Sequence, residues 1–335
     1  MKKKLQLAIL SAALATAFGS AGSSALAVEK SPRIVKKSTT SKKTPKTAHQ
    51  AVKPVPHLAR IKPASMAVAA PLPREVSLPS LNKLSLYSSS ALVLDQQTGE
   101  VVLKKNPEQV LPIASISKLM TAMVVLDANL DRQGLITIGD EDVDTRKGTH
   151  SRLHVGMTMT RETALLLALM SSENRAAHAL GRHYPGGLPA FVQAMNRKAQ
   201  SLGMTGSFFE EPTGLSSNNV ATASDLAKMV TAAAQYPLIR ELSTTAEARV
   251  DLGGRLQDFR NTNALVKNPQ WSIGVSKTGY ISEAGRCLVM QARVADKPVV
   301  IVLLDSVGKL TRVGDANRIK RWMESAALAR DSGRA

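Results

Sequence analysis

Residues 164–170, near the middle of the chain, are apolar on every face that a helix could present. In a soluble protein, a helix of this kind is normally buried among other elements at the centre of a fold. Strand-like segments lie towards both ends of the remaining sequence, and helix-like segments lie between them. This order predicts one mixed sheet covered by helices, with an inserted helical region, so the fold class is α/β of the α+β kind.

Hydrophobic periodicity predicts the individual elements of this fold. A β-hairpin is expected at residues 90–94 and 101–103, and a further strand is expected at residues 151–155. The predicted helices cover residues 117–126, 160–171, 188–202, 224–236 and 315–328. Three adjacent strands are predicted at residues 273–277, 286–293 and 298–304.

The first 27 residues have the layout of a secretory signal peptide. Lysines at positions 2–4 precede an apolar run at residues 5–18, and Ala25-Leu26-Ala27 provides small residues at a cleavage site. A transmembrane anchor would need about 20 apolar residues, and this run is shorter. We therefore expect residues 1–27 to be removed on export.

Half of the net charge of +18 lies in residues 28–80, which carry eleven Lys or Arg against two Glu. The segment is rich in Lys, Ser, Thr, Pro and Ala and has no apolar periodicity, so it cannot bury enough surface to offset its ordering entropy. We expect residues 28–84 to form a basic disordered linker. Either it makes peripheral contact with anionic envelope surfaces or it is a solvated tether without a partner. A nucleic-acid partner is not expected for an exported chain.

From residue 85 to residue 335 the composition is that of one globular domain, large enough for its own core. Cys287 is the only cysteine, so no intramolecular disulfide is possible, and its apolar strand predicts packed core rather than a nucleophile. Two histidine pairs, His150 with His154 and His178 with His183, lack the HExxH pattern of zinc peptidases. No metal or other cofactor is therefore expected.

Three polar strings carry the candidate chemistry: Ser115 with Lys118, Ser172 with Asn174, and Lys277-Thr278-Gly279. Ser115 lies at a predicted helix start, where free N–H groups favour developing negative charge, and Lys118 follows on the same helix face. A lysine can act as a general base only while it is neutral. Burial and a second cation, for which Lys277 is the candidate, would both lower the pKa of Lys118.

The other two strings would complete an acyl-transfer site. Ser172 is suited to relay a proton to the leaving nitrogen, and Asn174 can orient the lysine and hold the substrate backbone.

If the third string lies on an edge strand beside Ser115, Lys277 and Thr278 can bind a carboxylate, and Lys277 supplies positive charge. Gly279 then allows close approach of the substrate, and the backbone N–H groups of Ser115 and Tyr280 form an oxyanion hole.

The three strings have the order that is typical of penicillin-binding proteins and class A β-lactamases. Longer strings around them, at residues 112–123, 169–177, 183–187, 211–216, 259–263 and 287–290, resemble the low-molecular-weight penicillin-binding proteins of the D-Ala-D-Ala carboxypeptidase family. The resemblance extends from about residue 89 to residue 322 and leaves out the linker.

This resemblance implies a β-lactamase/transpeptidase-like fold with a mainly antiparallel sheet, in a periplasmic protein that is soluble or peripherally membrane-associated. It also implies that the chain hydrolyses D-alanyl–meso-diaminopimelate cross-links of peptidoglycan through an acyl-enzyme on Ser115, with β-lactam antibiotics as covalent inhibitors. A D-alanyl-D-alanine carboxypeptidase remains the alternative, because the motifs do not separate the two reactions. A wall-binding protein, localised by its basic segment, is the hypothesis from another class.

A β-lactamase is disfavoured, because no ExxLN string lies between Asn174 and Lys277 to supply a deacylation base. Glu211 precedes Leu215 by four residues instead of three. A penicilloyl group should therefore persist on the enzyme.

Overall fold

The structure, a computed structural model, describes residues 84–332. Its strands are β1 (Ser88–Asp95), β2 (Val101–Lys105), β3 (Leu111–Pro112), β4 (Leu135–Thr137), β5 (Thr158–Thr160), β6 (Val220–Ala221), β7 (Glu247–Asp251), β8 (Leu256–Arg260), β9 (Ser272–Ile281), β10 (Gly285–Val294) and β11 (Lys297–Ser306). Its α-helices are α1 (Ser117–Asp127), α2 (Arg161–Met170), α3 (Asn174–Arg182), α4 (Gly187–Ser201), α5 (Ala223–Ala233), α6 (Pro237–Thr244) and α7 (Thr311–Ser332). Of these helices, none combines the length and the apolar character needed to cross a membrane.

The main sheet has five strands in the order β2-β1-β11-β10-β9. All of its neighbours are antiparallel, and Val302 at its centre pairs with Leu92 on one side and Val289 on the other. The predicted helix-covered, mainly antiparallel sheet is therefore confirmed. Strand β9 lies at an edge, which leaves one side of its backbone outside the sheet.

Both faces of the sheet are buried. Alternate residues of β11 enter two different clusters: Val300, Val302 and Leu304 pack on one face, and Val299, Ile301 and Leu303 pack on the other. The first cluster also contains most of α1 and α2, and within residues 164–170 only Leu166 is partly exposed. The prediction of a buried helix at the middle of the fold is confirmed.

Other elements depart from the predictions. Residues 151–155 form a loop instead of a strand, because the side chains of Ser151 and Arg152 bind the carboxylate of Glu173. The strand of this region, β5, begins three residues after this loop. The predicted helix at 224–236 ends at Ala233, and a new helix starts with Pro237 in its first turn, where a proline costs no hydrogen bond. Helix α3 and the β7–β8 hairpin have no counterpart among the predicted elements. The predicted signal peptide and nearly all of the predicted linker, residues 1–83, lie outside the described residues.

Candidate active site

Ser115 lies in a short 3-10 turn, Ala114–Ile116, that leads directly into α1. The turn begins with Ala114 at a φ of +49°, a left-handed conformation that costs free energy for a residue with a side chain. One helical turn further on, Lys118 Nζ lies 2.8 Å from Ser115 Oγ. The structure thus brings the predicted nucleophile and the predicted base into direct contact.

Lys118 is fully buried on α1, and three acceptors surround its amine. Besides Ser115 Oγ, it donates to Asn174 Oδ1 at 2.7 Å and to the Thr213 carbonyl at 2.6 Å. Burial lowers its pKa to about 7, while the charges of Glu211 and then Glu173 act in the opposite direction. A lysine with this pKa is neutral in a large fraction of molecules at neutral pH.

Lys277, on β9, is the second buried lysine of the site. Its Nζ donates to Ser172 Oγ at 2.9 Å and to the Thr278 carbonyl at 2.9 Å. Burial, followed by the charges of Lys118 and Arg312, holds its pKa well below the usual range. The sequence predicted that burial and the charge of Lys277 would both lower the pKa of Lys118. In the structure burial lowers it, and the repulsion between the two lysines adds to the lowering of the pKa of Lys277.

Ser172 and Asn174 flank the start of α3. Ser172 has a φ of +63°, in the left-handed region. Its hydroxyl accepts a hydrogen bond from Lys277 of β9. Asn174 accepts from Lys118 and donates through Nδ2 to Thr149 Oγ1 at 3.0 Å. The amide is thus fixed on both sides, and its oxygen faces the lysine.

The edge strand β9 passes directly beside the nucleophile. A Cβ at Gly279 would lie 2.7 Å from the Ile113 carbonyl oxygen and 3.1 Å from the Ser115 nitrogen, so only glycine permits this approach. Tyr280 follows and is 56% exposed, with the Arg286 guanidinium 4.4 Å from its ring centroid. The backbone of Gly279 therefore packs directly against the segment that carries Ser115, and the oxyanion hole formed by the N–H groups of Ser115 and Tyr280 stays a prediction.

Thr278, the remaining member of the third string, is buried, and its Oγ1 lies 2.6 Å from Thr262 Oγ1. Its carbonyl accepts from Lys277. Thr278 thus holds its own hydroxyl towards the 262–263 segment and its carbonyl towards the lysine.

Sequence reasoning missed several residues that shape the site. Arg312 of α7 donates to the Gly279 carbonyl at 2.9 Å and to the Cys287 carbonyl at 3.1 Å, which supports β9 from behind. Its only signal in the sequence is a basic residue near the start of the last helix. Thr213 binds Lys118 through its backbone carbonyl, which has no sequence signal. Thr149 binds Asn174 through its side chain, but the two residues are far apart in the sequence.

An ion pair joins the loop beside Asn174 to the turn after β9. Asp144 caps this loop by accepting from the N–H groups of three residues, among them Lys147 and Thr149. Lys147 Nζ then contacts Glu283 Oε1 at 2.5 Å. Hydrogen bonds from Lys147 and then from Ser282 lower the pKa of Glu283 to about 2. The Lys147–Glu283 ion pair thus connects the loop that positions Asn174 to the end of β9, the strand that passes beside Ser115.

The alternative candidates lie elsewhere in the fold. Cys287 is buried, and burial raises the pKa of its thiol to about 11, so the prediction of packed core is confirmed. His178 is paired with Asp142 at 2.7 Å, and His183 contacts the Ala179 carbonyl. Within residues 84–332, no three His, Cys, Asp or Glu side chains are grouped so that they could hold a metal ion.

Here a serine in the turn before a buried helix contacts a lysine on that helix, and a second lysine lies on the edge strand of an antiparallel sheet. This arrangement defines a serine acyl-transfer enzyme of the penicillin-binding class. The chain belongs to the D-alanyl-D-alanine carboxypeptidase family of serine peptidases, whose profile matches residues 77–308. This confirms the resemblance seen in the sequence.

Known proteins with a similar sequence or fold agree with this assignment. A D-alanyl-D-alanine endopeptidase of Pseudomonas aeruginosa is 49% identical over 264 residues, which cover 78% of this chain and 84% of the relative. An Escherichia coli protein of the same name is 49% identical over 245 residues, or 72% of this chain and 79% of the relative. Among solved structures, the crystal structure of the Streptomyces K15 DD-transpeptidase is similar with a TM-score of 0.67 and 25% identity, covering 74% of this chain and 99% of that one.

Proposed function

We propose that this chain is a serine D,D-endopeptidase that hydrolyses the D-alanyl–meso-diaminopimelate cross-links of peptidoglycan through an acyl-enzyme on Ser115. The observation that carries the proposal is the 2.8 Å contact between Ser115 Oγ and Lys118 Nζ, in a site where burial brings the pKa of Lys118 to about 7. The names of the two relatives at 49% identity support the endopeptidase reaction over others of the family.

Acylation begins with neutral Lys118. It takes the Ser115 hydroxyl proton as Oγ attacks the D-alanyl carbonyl carbon, and the resulting oxyanion is bound by the N–H groups of Ser115 and Tyr280. The C–N bond then breaks, and the Ser172 hydroxyl, oriented by Lys277, relays the proton from Lys118 to the leaving nitrogen. An ester on Ser115 and a free amine are the products of this half-reaction.

Deacylation uses the same groups in the reverse direction. Water attacks the ester carbonyl while Lys118 takes its proton, the C–O bond to Ser115 breaks, and the proton returns to Oγ. Glu211 is not placed as a separate base, because both of its carboxylate oxygens accept backbone N–H groups. A penicilloyl ester, whose ring-opened leaving group remains attached, should therefore be hydrolysed slowly.

The carboxypeptidase reaction is the second candidate. The description of the family itself supports it, and the same groups could release a terminal D-alanine, whose carboxylate would be bound beside Lys277. The cross-link also presents a carboxylate beside a D-centre, so the charge of the site serves both substrates.

Purified sacculi and defined muropeptides separate the two reactions. The enzyme is expected to convert cross-linked dimers into monomers, and Ser115→Ala should leave the dimers intact. Release of D-alanine from monomeric pentapeptide with dimers untouched would instead establish the carboxypeptidase. Unchanged dimers and pentapeptide with the purified, penicillin-reactive enzyme would overturn both.

Covalent inhibition by β-lactams is part of the proposal. After exposure to a fluorescent penicillin, peptide mass spectrometry should find one adduct, on the tryptic peptide that contains Ser115. An adduct on Ser172 or on no residue would contradict the assignment of the nucleophile.

We further propose that residues 1–27 direct export to the periplasm and that the basic segment 28–84 holds the enzyme near anionic wall polymers or lipid headgroups. Eleven Lys or Arg against two Glu in residues 28–80 support this contact. Binding to sacculi and to anionic vesicles should fall when this segment is replaced by a neutral Ser/Pro-rich segment of equal length. Equal binding of both proteins would leave the segment as a plain tether.

A further inference from the structure

Glu211 has a buried carboxylate that is turned back onto its own chain. It is 8% exposed and accepts from the backbone N–H groups of Thr213 at 2.6 Å, Gly214 at 2.6 Å and Ser216 at 3.3 Å. Within residues 84–332 it forms no ion pair. Backbone dipoles therefore hold this charge in the interior, and the charge in turn fixes the shape of the turn that follows it.

The turn is pressed against the nucleophile. Gly214 has a φ of +81°, and a Cβ there would lie 1.9 Å from the Ala114 carbonyl oxygen and 2.7 Å from the Ser115 nitrogen. The 211–214 turn therefore cannot shift without displacing the segment that carries Ser115.

Three successive carbonyl groups of the turn accept hydrogen bonds from side chains, two of which belong to α1. Glu211 O accepts from Asn219 Nδ2 (2.8 Å), Pro212 O from Thr121 Oγ1 (2.7 Å) and Thr213 O from Lys118 Nζ (2.6 Å). The side chain of Asn219 also donates to Ser117 Oγ at 2.9 Å. Thr213 is thus fixed in two ways. The Glu211 carboxylate binds its N–H group, and the carbonyl groups of the two preceding residues are bound as well.

Charged groups face Lys118 from three elements. Glu211 lies on the turn, Glu173 precedes α3, and Lys277 lies on β9. Burial lowers the pKa of Lys118, and the charge of Glu211 is the first of the two that raise it, before that of Glu173. The balance leaves the pKa at about 7, where one group can both accept and return a proton.

We propose that Glu211 is a positioning residue for acyl transfer: it holds the Thr213 carbonyl against the amine of Lys118 and supplies the negative charge that lets this amine carry a proton between steps. The proposal rests on the acyl-enzyme step of the proposed function and adds to it the residue that controls the base. It also explains how an acidic residue close to the nucleophile can be important without attacking or activating water.

The test is the pH dependence of the second-order rate of acylation by a fluorescent penicillin. Glu211→Gln keeps the size of the side chain and removes its charge, so the midpoint of the rising pH profile should move down by about one pH unit or more. Glu210→Gln is the matched control, because that carboxylate is on the same loop but bonds Ser216 Oγ and Asn218 Nδ2 and does not contact the turn N–H groups. Its midpoint should stay at the wild-type value.

A merely structural role for Glu211 predicts a lower melting temperature and a lower plateau rate with an unchanged midpoint. That result in Glu211→Gln would overturn the proposal. Should this variant not fold, Glu211→Asp decides by its midpoint: it keeps a negative charge but draws it back along the side chain, so the midpoint should move down by less than the shift expected of Glu211→Gln, whatever the plateau rate. An unchanged midpoint in Glu211→Asp would also overturn the proposal.

These measurements do not depend on the natural substrate. If the enzyme failed to cleave dimers, the proposed endopeptidase reaction would be lost while the acylation profiles remained interpretable. If dimers were cleaved and the Glu211→Gln midpoint did not move, only the role of Glu211 would be lost.

Discussion

The backbone of β9 lies so close to the nucleophile turn that one added methyl group tests whether the acylation rate depends on this close packing. In Gly279→Ala, the new Cβ would be 2.7 Å from the Ile113 carbonyl oxygen, whereas ordinary contacts begin at 3.4 Å. The crowding is against the backbone of the nucleophile turn, at the Ile113 carbonyl and the Ser115 nitrogen, so the strand and this turn must separate by most of that difference. A misplacement of about 1 Å can cost about 100-fold in rate, so we expect acylation by penicillin to slow by about 10- to 100-fold.

Gly274→Ala is the matched control, because it adds the same methyl group to the same strand. Its Cβ would meet the far end of the Gln291 side chain, which can rotate away, and it does not approach the nucleophile. We expect near-wild-type acylation rates in Gly274→Ala, measured by stopped-flow fluorescence, with melting temperatures recorded for both variants. Equal acylation rates in the two folded variants would refute the claim that β9 and the Ser115 turn are in productive contact.

Further expectations follow from the same geometry. The wild-type acylation rate should rise with pH through a midpoint near 7, because Lys118 must lose its proton to act as the base, and a flat profile between pH 5 and 9 would argue against that role. Ser172→Ala should slow dimer cleavage by about 100-fold or more, whereas Ser171→Ala, which loses only a bond to a helix carbonyl, should not. Lys147→Ala should raise KM for dimers more than it lowers penicillin acylation, since it frees the turn after β9; equal effects would contradict this. Against the opposing effect of burial, hydrogen bonds from His178 and Arg182 lower the pKa of Asp142 from 3.8 to about 2. Its contribution to the unfolding free energy is therefore present above pH 4 and is lost as the pH falls to 2, and Asp142→Asn should flatten this part of the stability profile.

The sheet and the buried helices could be predicted because their apolar runs are long and leave few alternatives. Strand β11 is apolar on both faces, and residues 164–170 have no polar face, so each must lie inside the fold. The β7–β8 hairpin was missed because β7 alternates between exposed and half-buried residues and β8 buries only Phe259, so both sequences are typical of a polar loop. The strand expected at residues 151–155 was wrong because the requirement of Glu173 for partners outweighed the local propensity for a strand.

The site was predictable in its side chains and not in its backbone. Ser115, Lys118 and Lys277 are identified by residue type and spacing, since few other patterns place a hydroxyl and an amine one turn apart. The Thr213 carbonyl is a group that every residue possesses, and Arg312 is one of many basic residues. What positions such groups is long-range packing, which a single sequence does not display.

The arrangement of the two lysines has a physical consequence for the stability of the fold. Both amines are buried, and the left-handed Ala114 and Ser172 add backbone strain at the same place, so the site opposes folding. Strain of this kind persists only where the surroundings determine it, and here α1 and α2 lie in the larger core cluster and β9 is fixed by β10. Because an unfolded lysine keeps its proton up to about pH 10.5 and folded Lys118 loses it near 7, the unfolded chain binds more protons between these values. The penalty from Lys118 therefore decreases as the pH rises from 7 towards 10.5, and the acyl-transfer base is most compatible with the fold in the neutral form that the reaction uses.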